Sequence, residues 1–179
     1  ALAGIIKDAG DDPDVTHGAM VQTRVSWGEP GSGVVFVAGE GVGTVTKPGL
    51  PIDVGEPSIT PGPRAQIADA LRARNEGTVP DVVIELSIPG GEAMALKTLN
   101  PRVGVLGGLS ILGTTGVVIP YSCSSWIHSI HRGIDVARAL GVGHVVGSTG
   151  DTSEQAAKAL LGLGEESLLD MGDFAGGML

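Results

Sequence analysis

The feature that most constrains this chain is a glycine- and hydroxyl-rich stretch, GGLSILGTTG, at residues 107–116. It follows the short apolar run RVGVL at residues 102–106, a pattern typical of a buried strand. Glycine adopts positive φ angles and lets a ligand approach the backbone closely. The hydroxyl groups of Ser110, Thr114 and Thr115 add donors and acceptors. The sequence therefore predicts a strand that opens into a loop for a small molecule.

The spacing of residues within this glycine loop does not identify its ligand. Residues 108–115 match the phosphate-binding pattern G-x-x-x-x-G-K-[ST], except that Thr114 occupies the lysine position. That lysine supplies positive charge for the phosphates, so its absence argues against an NTPase, and the dinucleotide pattern GxGxxG is also unmet. A nucleotide or phosphate ligand, another small molecule, and a plain connection after a strand all remain open interpretations.

Charge and composition exclude several classes of protein. The 179 residues carry a formal net charge of −9, which argues against a nucleic-acid or anionic-membrane partner, because both need a basic patch. No apolar run reaches the roughly 18 residues that span a bilayer. Cys123 is the only cysteine, which rules out an intrachain disulfide and favours a reducing compartment. We therefore expect a cytoplasmic protein.

A second motif, KDAGDDPDVTHG at residues 7–18, places four aspartates in one turn-rich loop, the aspartate loop. Like charges so close together raise the pKa of each carboxyl group unless a cation such as Lys7 or backbone donors compensate. Such a loop suits a hard-metal site, general acid or base chemistry, or a scaffold of Asx turns. The EF-hand spacing is absent, and His17 by itself is more often structural than catalytic.

The first hundred residues carry the pattern of several strands and one long helix, which predicts an α+β arrangement. The turn residues at 28–31 predict that the strands on either side, residues 18–27 and 33–38, form a hairpin. Further strands are expected at residues 2–6, 42–46 and 81–88, a helix at 63–75 and a short helix at 92–98.

Asn100 marks the best candidate for a domain boundary and divides the chain into residues 1–100 and 101–179. After it, strands and helices alternate, which predicts a partial α/β layer with a parallel, Rossmann-like sheet. A second glycine–hydroxyl loop lies at residues 147–152, and ligands of such layers bind beyond the carboxyl ends of the strands. We therefore expect both glycine loops at one sheet edge. The predicted strands are residues 102–106, 144–146 and 163–170, with a helix at 124–140.

The predicted helix at residues 124–140 carries His128 and His131 on one face, with Cys123 just before it. No second pair of ligands at metal spacing accompanies them, so we predict no metal centre.

Four motifs resemble, in order and spacing, those of the CbiD family, the cobalt-precorrin-5B C1-methyltransferases of anaerobic cobalamin biosynthesis: KDAGDDPDVTHG, GEGVGTVTKPGLP, GEPSITPGPR and KTLNPRVGVLGGLSILGTTG. The resemblance covers essentially the whole chain. It implies transfer of a methyl group from S-adenosylmethionine to C1 of a cobalt-corrinoid, giving cobalt-precorrin-6A with loss of acetaldehyde. Because the family is longer and the first residue is not Met, we expect a central piece of the enzyme that is inactive alone.

The resemblance also implies roles for particular residues. It assigns cofactor binding to Gly107, Gly108, Ser110, Gly113, Thr114, Thr115 and Gly116. The aspartate loop is expected to face the macrocycle, with the acid–base candidates Asp8, Asp11, Asp12 and His17. The carboxylates of the substrate are expected to meet Lys7, Lys47 and Arg64. The sequence departs from the family pattern at residues 121–135, so no catalytic role is carried over to His128 or His131.

Overall fold

The computed structural model describes residues 1–179 and contains eight strands and five α-helices. The strands are β1 (Leu2–Ile6), β2 (Met20–Trp27), β3 (Val34–Ala38), β4 (Thr44–Val45), β5 (Val82–Ser87), β6 (Val105–Leu106), β7 (Val146–Ser148) and β8 (Leu168–Asp170). The helices are α1 (Pro61–Arg74), α2 (Gly91–Ala95), α3 (Cys123–Ala139), α4 (Asp151–Leu161) and α5 (Ala175–Met178), with a 3-10 turn at Glu165–Ser167. The protein is a mixed α/β protein, and the two long predicted helices are confirmed.

The largest sheet has four strands in the order β1-β2-β5-β3. The predicted hairpin between β2 and β3 is wrong, because β5 lies between them, antiparallel to β2 and parallel to β3. From β3 the chain passes through α1 and returns as β5, beside β3. The loop after β2 therefore spans the roughly 10 Å across β5. Asp81 holds that loop, accepting hydrogen bonds from the N–H groups of Gly31 (2.8 Å) and Gly33 (2.7 Å).

The core lies between this sheet and α1. Every second residue of β5 is buried, namely Val82, Ile84 and Leu86, as the alternation of side chains along a strand requires. Ile67 and Leu71 of α1 pack against these side chains. Burial of this face therefore holds the helix on the sheet, even though no residue of α1 is fully buried.

The strand that leads into the glycine loop belongs to a different layer from the one predicted. β6 contains only Val105–Leu106 and pairs antiparallel with β4. Val45 (0% exposed) and Val105 (1% exposed) face each other in this pairing, and burying both side chains explains it. The prediction that β6 begins a parallel sheet shared with β7 is therefore wrong, and the two glycine loops do not leave one sheet edge.

The C-terminal part contains a two-stranded parallel sheet of β7 and β8, connected through α4. Ile130, Val136 and Ala137 form the buried face of α3. β7 begins two residues later than predicted, and β8 occupies only the last three residues of its predicted range. No helix in the structure is both long and apolar enough to cross a membrane.

Two contacts fix the C-terminal part against the rest of the chain. Arg102 donates paired hydrogen bonds (2.6 and 2.5 Å) to the carboxylate of Glu154, which is 8% exposed. The hydrogen-bonded carboxylate raises the pKa of Arg102. Gly49, whose φ is +105°, passes so close to α3 that a Cβ there would lie 2.6 Å from the carbonyl oxygen of Asp135. These contacts set the position of α3 and α4 relative to the segment that carries the glycine loop.

Candidate functional site

The inner half of the glycine loop, residues 108–111, is built into the fold. The N–H of Leu109 donates to the carbonyl oxygen of Gly41, and the N–H of Gly43 donates to that of Leu109, both at 2.9 Å. A Cβ on Gly108 would lie 2.3 Å from the carbonyl carbon of Gly41, a distance that real side chains do not reach. Gly108 therefore serves the close packing of two backbone segments.

Ser110 is held from inside the protein by two further polar side chains. Its Oγ lies 2.8 Å from the Oγ of Ser58, which is 1% exposed, and donates to Oδ1 of Asn100 at 3.3 Å. The Nδ2 of Asn100 donates to the carbonyl oxygen of Gly108 (3.2 Å). Sequence reasoning missed Ser58 and Asn100, because a serine in a proline-rich loop and an asparagine before a proline both resemble ordinary turn residues.

The outer half of the glycine loop, residues 112–116, is exposed. The exposed candidate residues in it are Gly113, Thr114, Thr115 and Gly116. Gly113 (φ +123°) and Gly116 (φ +73°) adopt conformations that favour glycine, and no atom lies within 4 Å of a Cβ built on Gly113. Gly107, at the start of the loop, is likewise open, with a φ of +82°. These positions offer the free backbone that a ligand requires.

After the outer half, the chain continues as an irregular exposed segment, residues 117–121, which we call the strap. It presents the apolar side chains of Val117, Ile119 and Tyr121, each about 70% exposed. Helix α3 begins only at Cys123. In a phosphate-binding loop the glycines lead directly into a helix N-terminus, so the strap removes the geometry that a phosphate ligand would use.

One end of the aspartate loop is anchored by Lys7. Its Nζ bonds to the carboxylate of Asp14 and to the Oγ1 of Thr16 (2.6 Å). Asp14 also accepts hydrogen bonds from the N–H and the hydroxyl of Thr16, both at 2.7 Å. Burial raises the pKa of Asp14, but the hydrogen bonds from Lys7 and Thr16 together outweigh it and hold this pKa below its ordinary value. The compensation by Lys7 and a backbone donor that the sequence allowed for is therefore present at Asp14.

Asp8 and His17 contribute to the folding of the same loop. Asp8 Oδ1 accepts a hydrogen bond from the N–H of Gly10 (2.8 Å), which forms an Asx turn. His17 Nδ1 accepts one from the N–H of Ala9 (3.1 Å) and lies 3.9 Å from Asp8 Oδ1. This part of the loop has the geometry of a turn scaffold, with the Asp8 and His17 side chains still exposed to solvent.

Asp12 joins the aspartate loop to the strap. Its Oδ1 accepts a hydrogen bond from the N–H of Tyr121 at 2.8 Å, across 109 positions of sequence. Pro120 lies nearby, 3.8 Å from a Cβ built on Gly10. Asp11, by contrast, is exposed, and its carboxylate is neither hydrogen-bonded nor ion-paired. The structure thus joins the aspartate loop to the strap that follows the glycine loop, and leaves one carboxylate free beside that junction.

The cations expected to meet substrate carboxylates are engaged within the protein. Besides Lys7, whose partners are given above, Lys47 Nζ donates to the carbonyl oxygen of Arg102 (3.2 Å). Arg64 Nε donates to a backbone carbonyl oxygen (2.8 Å), and its guanidinium lies 5.2 Å from the ring centroid of Phe36. A substrate carboxylate would therefore compete with existing contacts for each of these groups.

The remaining sequence candidates lie in the C-terminal part. The rings of His128 and His131 are 6.5 Å apart, and His131 Nε2 lies 3.0 Å from the carbonyl oxygen of Gly177. In the second glycine loop, Gly147 is closed off, because a Cβ there would lie 2.7 Å from the sulfur of Met178. At Gly150, in the same loop, no atom lies within 4 Å of a Cβ, so the second loop is open at one of its two glycines and closed at the other.

Comparison with known proteins shows which sequences share these loops. A model of the CbiD family matches residues 1–120. Proteins named cobalt-precorrin-5B C(1)-methyltransferase from Paramagnetospirillum magneticum and Agrobacterium fabrum match the whole chain, with 64% and 62% identity. The chain covers 51% and 47% of their lengths, so it spans about half of the relatives that it matches.

A solved structure shares the fold. The crystal structure of a cobalamin biosynthesis protein (CbiD) from Archaeoglobus fulgidus superposes with a TM-score of 0.51 at 25% sequence identity. The superposition covers 99% of this chain and 56% of that one.

Proposed function

The chain belongs to the CbiD family, and from that premise we propose that it forms part of an S-adenosylmethionine-dependent methyltransferase acting on C1 of cobalt-precorrin-5B. The observation that carries this proposal is the 64% identity, over the whole chain, to a protein named for that reaction. The proposed product is cobalt-precorrin-6A, the C1-methylated corrinoid, in cobalamin biosynthesis. The bond between Asp12 of the aspartate loop and Tyr121, five residues after the glycine loop, supports a single site for cofactor and substrate.

We propose the outer half of the glycine loop as the binding place for S-adenosylmethionine. The open backbone at Gly107, Gly113 and Gly116 and the hydroxyl groups of Thr114 and Thr115 fit the polar groups of this ligand. The net charge of −9 suits a cationic sulfonium. When bound, the cofactor supplies an electrophilic methyl group. The candidate residues that support this half from inside are Gly108 and Ser110.

The aspartate loop is proposed to face the corrinoid and to hold or move protons there. Asp11 is the first choice as base, because its carboxylate is exposed and unpaired, while Asp8, Asp12 and His17 remain candidates. A positioned base contributes typically about 10²–10⁴-fold, so Asp11→Asn is expected to lower the turnover number of the complete enzyme by at least about 10²-fold. Affinity for S-adenosylmethionine, measured by calorimetry, should stay unchanged. Full turnover by Asp11→Asn would assign the base elsewhere.

Several finer points are also proposals. Lys7, Lys47 and Arg64 are the proposed partners of the substrate carboxylates. The division into domains at residues 1–100 and 101–179 stays a prediction, and the pairing of β4 with β6 crosses that boundary. The β7–α4–β8 unit is proposed as part of a Rossmann-like layer. A cytoplasmic location is supported by the free thiol of Cys123.

Calorimetric titration of the complete protein with S-adenosylmethionine and, separately, with ATP tests the proposed ligand. We expect binding of S-adenosylmethionine and none of ATP, because the loop lacks both the lysine and the helix N-terminus of a phosphate site. Transfer of labelled methyl to the corrinoid then tests the reaction. Binding of ATP without S-adenosylmethionine would instead favour the phosphate interpretation.

A further inference from the structure

We propose that Asp12 is a positioning residue whose carboxylate holds the strap, and with it the outer half of the glycine loop, in the arrangement that binds the ligand. The identity of the ligand rests on the proposed function. The anchoring itself rests on the hydrogen bond between Asp12 and the backbone N–H of Tyr121.

Apart from this bond, the strap and the outer half have few attachments, chiefly the approach of α1 to the outer half, where a Cβ on Gly62 would lie 2.5 Å from the carbonyl oxygen of Gly113. For residues 112–121, the bond from Tyr121 to Asp12 is the one hydrogen bond to a distant part of the chain. The others are local, between Thr115 and Val117 and from Cys123 Sγ to the Tyr121 carbonyl oxygen. Val117, Ile119 and Tyr121 of the strap are exposed and bury little surface that could fix it, while Val118 is partly buried. Loss of the Asp12 acceptor should therefore loosen the strap, which directly follows the outer half in the chain.

The backbone of Tyr121 indicates that this attachment is specific. Its φ is +55°, a left-handed conformation that is unfavourable for any residue with a Cβ. Such a conformation persists only where the surroundings impose it, and it concentrates at functional sites. At Tyr121 the bond to Asp12 is the surrounding constraint, and Pro120 beside it lies near Gly10 of the aspartate loop.

The same geometry separates the role of Asp12 from that of a base. Positioning needs only an oxygen that accepts the N–H of Tyr121, and an asparagine side chain retains such an oxygen. Proton transfer needs the ionisable carboxyl group, which asparagine lacks. The pair Asp12→Asn and Asp12→Ala therefore distinguishes the two roles at one position.

The experiment measures amide hydrogen exchange at Tyr121 and calorimetric affinity for S-adenosylmethionine in the complete protein. Asp12→Ala should accelerate Tyr121 exchange about tenfold or more and weaken binding about tenfold, as expected for loss of a hydrogen bond to a charged group. Asp12→Asn should stay within about threefold of wild type in both, because the acceptor remains.

A matched control is Asp81→Ala. Asp81 also accepts long-range hydrogen bonds from backbone N–H groups, at the opposite end of β2 from the aspartate loop. This variant should lower the melting temperature and leave both Tyr121 exchange and S-adenosylmethionine affinity unchanged.

Two results would overturn the proposal. The first is Asp12→Ala with wild-type exchange at Tyr121. The second is an equal loss in Asp12→Asn and Asp12→Ala, which would assign the effect to the charge of Asp12. Failure of the wild-type protein to bind S-adenosylmethionine would instead overturn the proposed function, and the Tyr121 exchange rates would then decide the role of Asp12 alone.

Discussion

The inner and outer halves of the glycine loop are close in composition and opposite in environment. Gly108 in the inner half leaves no room for a Cβ because the backbone of Gly41 lies against it. Gly113 in the outer half has open space around it and a φ of +123°. Glycine therefore serves backbone packing in one half and leaves open backbone in the other, where we propose that the ligand binds. A glycine-rich motif thus contains residues with a structural role and residues that are free for a ligand.

The aspartate loop shows the same division among carboxylates. Asp14 is bonded to Lys7 and Thr16 and fixes the loop, whereas Asp11 has no partner. In both loops, residues fixed by packing or hydrogen bonds lie next to residues that are open to solvent. A site built in this way is both ordered and accessible.

Gly108→Ala is expected to have the largest effect. Its Cβ would lie 2.3 Å from backbone atoms of Gly41, which cannot move aside as a flexible side chain would. We expect a loss of about 3 kcal/mol or more in the free energy of unfolding, measured by urea denaturation. A wild-type denaturation midpoint would show that the two backbones separate freely and would remove the distinction between the halves.

Gly113→Val should act on binding more than on folding. The side chain enters open space, so only the left-handed backbone opposes it, at a cost of about 1–2 kcal/mol. Far-UV circular dichroism should therefore match wild type, while S-adenosylmethionine binding is lost because valine fills the ligand's space. Unaltered affinity in a folded Gly113→Val protein would show that the outer half does not bind the cofactor.

Ser58→Ala tests whether a change beneath the inner half of the glycine loop alters ligand binding at the exposed outer half. Removing the Ser58 hydroxyl takes one partner from Ser110, at a cost of about 1 kcal/mol in thermal or urea denaturation. We also expect weaker S-adenosylmethionine binding by calorimetry. Thr46→Val is the control, because it removes a hydroxyl that bonds the Gly104 carbonyl oxygen (2.8 Å), away from Ser110. Equal affinities in both variants would limit Ser58 to a role in stability.

Asp14→Asn should have the smallest effect, below about 1 kcal/mol, because this ion pair is partly solvated. The pKa of Asp14 is lowered in the folded protein, so its contribution is full above the ordinary value of 3.8 and is lost as pH falls through the lower folded value. Wild type should therefore be more stable than Asp14→Asn at pH 7 and lose that advantage in acid. A stability difference that does not change with pH would show that Asp14 anchors the loop without the negative charge of its carboxylate.

Local sequence signals predicted the location of helices and strands better than they predicted which strands pair. The helix predicted at residues 63–75 is confirmed as α1, and Ile67 and Leu71 pack it against the core. The turn at residues 28–31 suggested a hairpin, yet β5 enters between β2 and β3 from a position far along the chain. Ser58, buried beneath Ser110, carried no signal because its burial depends on a partner 52 residues away.

By itself the sequence determined where strands, helices and the two motif loops lie, because periodicity and turn residues act over a few neighbouring positions. It also determined the family, through motifs preserved along the chain. Only the tertiary structure decided that Gly108 packs while Gly113 stays open, and that Asp12 reaches Tyr121 while Asp11 remains free. Those assignments depend on burial and hydrogen bonds between residues distant in sequence, which a local pattern does not contain.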